Sequence, residues 1–145
     1  MREIKFRGFR TVQKYWIYGN LIVDKNGTKY IVENNLFSAD GHHLVYDPAD
    51  EPAFINQKTV SQYTSIKDST GKEVYEGDIV VVGKDTGNKY DRYIMTFNDD
   101  SHSYMAKQQG TLGSYIGSGY WNDKLVVIGN RWDNPELTGG AHDEH

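Results

Sequence analysis

The stretch KDSTGKEVYEGDIVVV, residues 67–82, decides the fold. Asp68, Ser69, Thr70 and Gly71 cluster as turn formers, and Glu73-Val74-Tyr75 is a short step centred on an apolar residue. Glu76-Gly77 turns again, and Asp78 leads into the β-branched run Ile79-Val80-Val81-Val82. A turn, a short strand, a second turn and a buried strand are the punctuation of an antiparallel β protein. The same stretch carries Asp68, Glu73, Glu76 and Asp78, and paired carboxylates can hold a divalent metal or work as acid and base in phosphodiester chemistry. Against that reading, Asp68 and Asp78 occupy positions where aspartate bonds its own backbone, and Glu73 and Glu76 flank the apolar steps as solvent-facing charges. No nucleophile elbow, phosphate loop, HExxH or triad-like grouping accompanies them. The expectation is therefore a protein that is not an enzyme, with no catalytic residue, no metal and no cofactor.

Outward from this stretch the chain keeps a two-residue period. In Arg2 to Arg10, Ile4, Phe6 and Gly8 alternate with Glu3, Lys5 and Arg7, which predicts a half-buried strand with one core face and one basic face. Residues 1–14 hold five basic side chains, Arg2, Lys5, Arg7, Arg10 and Lys14, against the single acid Glu3. Such a strip can face phosphates, or it can be a solvated edge strand whose charges discourage strand-on-strand aggregation. Tyr15 to Val23 has apolar residues in both phases, as expected of a central or covered strand, and Gly19 within it marks a bulge or a close backbone approach. Asp24-Lys25-Asn26-Gly27 supplies Asn-Gly, the residues of a type I′ hairpin turn, after which Thr28 to Glu33 should pair back.

Residues 33–51 carry five acids and no Lys or Arg. Asp40-Gly41-His42-His43 lies among them, but adjacent histidines project to opposite sides of an extended chain and make poor joint metal ligands. Asp47-Pro48-Ala49-Asp50-Glu51-Pro52 is a turn-rich acidic connector and the best internal boundary, and its loop is a candidate binding surface. Downstream, Phe54 to Ile66 is too short a pattern to separate helix from irregular strand. Tyr90 to Phe97 and Tyr104-Met105-Ala106 read as strands around the polar turn Asn98 to Ser101, and Gly110 to Gly119 reads as a loop. Leu125-Val126-Val127-Ile128 reads as a buried strand. Trp132 and Leu137 are placed to cap the end of a barrel.

The whole is expected to be mainly β with little helix. Residues 1–50 form an antiparallel N-terminal meander and residues 60–137 a small SH3-like β-barrel, the two packed as one unit, followed by a disordered tail at 138–145. With 16 Lys plus Arg against 20 Asp plus Glu, the formal charge of -4 does not suit a general nucleic-acid binder. The chain has no cysteine, which excludes disulfides and thiolate chemistry. Met1-Arg2-Glu3-Ile4-Lys5 is unlike a signal peptide, and no apolar run approaches the roughly 20 residues of a membrane span. The expected location is the cytoplasm.

Several separate stretches resemble one family, the YopX proteins of phages and prophages. Ile4-Lys5-Phe6-Arg7-Gly8-Phe9 resembles its opening basic-aromatic strand, and Trp16-Ile17-Tyr18-Gly19-Asn20-Leu21 its Tyr-Gly strand. Thr59 to Asp68 followed by Gly71 to Val80 is similar to its central signature, and Ile128-Gly129-Asn130 with Asn134-Pro135-Glu136-Leu137 to its ending. One departure is serine, at Ser61 or Ser65, where the central motif usually has glycine. The resemblance implies a small β-rich protein of a mobile genetic element, with no catalytic residues to carry over. The function expected is accessory binding of a host or phage protein through the acidic loop or a tyrosine-rich face. The alternative is single-stranded nucleic acid held by Arg2, Lys5, Arg7 and Arg10 and stacked on Trp16 and Tyr18. The residues select no oligomeric state.

Overall fold

A computed structural model describes residues 3–33, 55–108 and 124–139 in full and the backbone of 36–38, 44–46 and 115–116. The described residues are mainly β, in twelve strands with three short 3-10 turns. Two compact units divide the chain, residues 1–62 and residues 63–144.

The first unit is built on β1 (Phe6–Arg10), β2 (Tyr15–Val23) and β3 (Lys29–Val32). β1 pairs antiparallel with β2 from Phe6 opposite Gly19 to Arg10 opposite Tyr15, and β2 continues along β3 from Asn20 opposite Val32 to Val23 opposite Lys29. Gly19 is where the chain needs no side chain: a Cβ there would lie 2.1 Å from the Val32 carbonyl oxygen. The close backbone approach expected at this position is thus observed. The β2–β3 connection differs from the expected type I′ turn. That turn needs positive φ at both Asn26 and Gly27, and only Gly27 has it, at 84°. Gly27 N–H donates to the Asp24 carbonyl at 3.0 Å while Asp24 Oδ1 accepts from Asn26 and Thr28 N–H, so the aspartate side chain organises a longer loop. A separate hairpin pairs β4 (Leu36–Ser38) with β5 (Leu44–Tyr46) inside the acidic stretch, where no strand is expected from the sequence. The Asp40 to His43 and Asp47 to Pro52 segments lie outside the described residues.

A 3-10 turn at Gln57–Thr59 precedes β6 (Ser61–Lys67), which resolves the ambiguity of that segment. Ser61 and Gln62 pair with β1. The core of the first unit is Ile17, Ile31 and Ile55, with Phe6, Leu21 and Val60 against it.

In the second unit the remainder of β6 pairs with β7 (Glu73–Tyr75) across a register shift between Tyr63 and Ile66. Within that bulge Ser65 adopts φ 68°, the left-handed region that glycine enters without penalty. This is one of the two positions where the family resemblance expects glycine. A five-stranded sheet follows in the order β11-β10-β9-β8-β12. Its strands are β8 (Asp78–Val82), β9 (Tyr93–Asn98), β10 (Ser103–Gln108), β11 (Tyr115–Ile116) and β12 (Leu125–Asn130). Val74, Val80, Met95, Ala106 and Leu125 form its core, all fully buried. In β12 only Leu125 is fully buried, and Val126 to Asn130 are half-buried.

The expected closed SH3-like barrel is not what these strands make. Among the described residues no ladder joins β7 to β8 or closes the sheet through β12. The reason is chemical, because side chains and turns occupy the free edges. Tyr75 N–H donates to Asp78 Oδ2 at 2.7 Å, and on β12 the Leu125 carbonyl accepts from Ser69 N–H. Val127 N–H donates to Asp68 Oδ2 and Asn130 N–H to Asn134 Oδ1. Trp132 is buried, its ring lying over Gly77 where a Cβ would meet it at 2.4 Å.

Candidate functional site

The residues expected to form a basic strip are distributed by the parity of β1. Directly opposed residues of an antiparallel pair share a face, so Arg7 with Tyr18 and Phe9 with Trp16 lie on one side, and Gly8 with Ile17 and Arg10 with Tyr15 on the other. Arg7 and Arg10 therefore point to opposite sides of the sheet.

Nor is the Arg7 side a solvated basic face. Arg7 is 5% exposed and Phe9 8%. The Arg7 Nε donates to Ser61 Oγ at 3.0 Å, and its guanidinium carbon sits 4.6 Å from the Trp16 ring centroid. Trp16 packs edge-on against Phe9, centroids 5.4 Å apart at 68°. Both faces of β1 are covered, which corrects the expectation of one core face and one exposed one. Lys5 is half-buried and bridges Glu3 at 3.2 Å, and Tyr18 is 46% exposed beside Arg7. Arg2 lies outside the described residues. Of the six residues proposed for nucleic acid, the structure brings Arg7, Trp16 and Tyr18 together, with the charge shielded beneath the aromatic residues.

The turn Thr11 to Lys14 joins the two strands, with Lys14 at φ 64° and its N–H donating to the Arg10 carbonyl at 2.7 Å. Arg10 Nη1 donates to Tyr15 Oη at 2.8 Å, and its guanidinium lies 5.5 Å over the Tyr15 ring. The Arg10 Nε is shielded from solvent and has no hydrogen-bond acceptor. Val12 at this tip is 85% exposed and Tyr15 46%. From the sequence Val12 has no expected role and Tyr15 is placed only as the start of a strand; an apolar residue between the polar Thr11 and Gln13 was the available signal.

Of the four carboxylates in residues 68–78, Asp68 and Asp78 accept from backbone N–H groups. Asp68 Oδ1 accepts from Thr70 N–H at 2.9 Å, Thr70 Oγ at 2.7 Å and Lys72 N–H at 2.9 Å, while Oδ2 accepts from Val127 N–H at 3.0 Å. Burial pushes its carboxyl up, but the Thr70 hydroxyl and the N–H groups of Val127, Lys72 and Thr70 together hold it below the ordinary carboxylate range. Asp78 is 2% exposed and binds Tyr75 N–H. Glu73 and Glu76 are half-buried, which corrects their assignment as solvent-facing, and Glu73 lies 3.5 Å from the Tyr75 hydroxyl. Among the described residues no cluster of acids and histidines is arranged to hold a metal ion, and no helix is long and apolar enough to cross a membrane.

Comparison with known proteins gives a family and a fold likeness. A family model described as "YopX protein" matches residues 5–138. A crystal structure of protein EF1440 from Enterococcus faecalis is similar with a TM-score of 0.62 at 23% identity, covering 95% of this chain and 99% of that one. At that identity the likeness concerns the fold alone. No curated protein matches the chain.

Proposed function

Because the chain belongs to the YopX family, we propose that it is a non-catalytic accessory protein of a phage or prophage, working in the host cytoplasm by binding a host or phage protein. One observation carries this reading. Of the eight large apolar residues exposed among those described, five fall within residues 12–23: Val12, Tyr15, Tyr18, Ile22 and Val23. Tyr18 and Ile22 share a face of β2, on either side of the exposed Asn20 and with Tyr30 opposite Ile22, so exposed apolar and aromatic groups line one face of that strand. Exposed apolar surface of this kind marks contact sites, and tyrosine is a common anchor in them. A catalytic role draws no support from Asp68 and Asp78, each of which accepts from backbone N–H groups.

The test is photo-cross-linking in host cells with p-azidophenylalanine at position 18, compared with the same group replacing the exposed Tyr90 of the second unit. A discrete protein adduct from position 18 that is absent from position 90 is the expected result. Adducts to nucleic acid alone, or identical protein adducts from both positions, overturn the reading.

A further inference from the structure

We propose that the β1–β2 tip, formed by Arg10, Val12, Lys14 and Tyr15, is a recognition site for an acidic, extended segment of a protein partner. It lies apart from the Tyr18 and Ile22 contact, because Tyr15 and Tyr18 point to opposite sides of β2.

The charge of the tip is one-sided. Residues 4–23 contain Lys5, Arg7, Arg10 and Lys14 and no Asp or Glu. Arg7 is buried under Trp16 and Lys5 is bridged to Glu3, so Arg10 and the exposed Lys14 are the cations that this stretch presents at the tip.

Arg10 is also poised for a fork-shaped ligand. Tyr15 Oη holds Nη1 at 2.8 Å and so fixes the plane of the guanidinium. The Nε on its other edge is a buried donor without an acceptor. Such an atom is rare in folded proteins because leaving it unpaired is costly. A carboxylate that displaces the cover of this edge would reach Nε together with Nη2 and form the paired N–H···O contact that arginine makes best. The left-handed Lys14 and its N–H bond to the Arg10 carbonyl hold the turn tight, so little order has to be gained on binding.

The aromatic rings decide between a carboxylate on a peptide and a phosphate on a nucleic acid. Stacking bases needs open ring faces, whereas Arg10 lies over Tyr15 and Arg7 over Trp16. The exposed apolar residue of the tip that no cation covers is Val12, an aliphatic side chain suited to apolar groups on a polypeptide.

The probe is a short fluorescein-labelled peptide of alternating glutamate and glycine with one central leucine, read by fluorescence polarisation at low salt. Its glutamine counterpart and a labelled oligothymidine serve as comparisons. The glutamate peptide is expected to bind in preference to both. Arg10→Lys, which keeps the charge and removes the fork, weakens it about fivefold, and Lys14→Ser weakens it less. Lys84→Ala in the second unit leaves binding unchanged, and thermal melting of each variant reports folding separately. Equal binding of the glutamate and glutamine peptides, preferential binding of oligothymidine, or an Arg10→Lys protein that binds as the parent does would each overturn the proposal. The identity of the partner as a protein rests on the reading above. A position-18 adduct with no glutamate-peptide binding would leave that reading standing and remove this one.

Discussion

Asp68→Asn is the sharpest test of the structural role assigned to the central carboxylates. The aspartate gathers four donors from two places, three from its own turn on Oδ1 and Val127 N–H of β12 on Oδ2. An asparagine can keep its oxygen toward Thr70 and Lys72, but its amide nitrogen then faces Val127 N–H, donor against donor. Leaving that part-buried N–H unpaired costs about 1–3 kcal/mol. The three retained bonds fall from charge-assisted to neutral, roughly halving their strength. Together the loss is about 3 kcal/mol, a shift of roughly 1.5–2 M in the urea midpoint at a slope typical of small proteins. Asp85→Asn is the control, since its pair with Arg92 lies at the surface and such pairs contribute about 0–1 kcal/mol.

The pH dependence follows from the depressed pKa. The folded carboxyl titrates below the ordinary value of 3.8, so its contribution is present above 3.8 and is lost as pH falls through the lower folded value. The gap between the parent and Asp68→Asn should be constant near neutrality and narrow in strongly acidic urea titrations. A gap below about 1 kcal/mol at neutral pH, or one that does not narrow in acid, would refute the four-donor account.

Two further outcomes are expected. Gly19→Ala places a methyl against the Val32 backbone, which cannot rotate away; after the usual entropic gain from losing glycine, the net destabilisation should be about 2 kcal/mol by urea unfolding, and a neutral result would mean that β2 and β3 do not approach so closely. Arg7→Lys removes the Nε bond to Ser61 and the stacking on Trp16, so it should lower stability by about 1–2 kcal/mol in thermal melts; an unchanged melting temperature would place the guanidinium elsewhere.

Much of the fold was legible because it is written locally. β2 has the expected limits of Tyr15 and Val23, and Asp68, Gly71 and Gly77 turn where their residue types say they should. Less of the candidate site was legible. Arg7 reads as a charged residue on an alternating strand, and its burial depends on Ser61, 54 residues away in the chain, and on Trp16 across the hairpin. Among the described residues the barrel does not close, for a similar reason. A strand pattern names the residues that can pair, but whether β12 meets another strand or the Asp68 turn depends on which group arrives at its edge.

The β class, the places where the chain turns and the family can all be read from neighbouring residues, because period-two alternation, turn chemistry and short motifs are local properties. Which arginine is buried and which is presented, and which carboxylates serve the backbone, emerges when the strands pack. Those outcomes are set by what covers the second face of a strand and by which distant donor reaches a side chain, and neither is encoded in the spacing of adjacent residues.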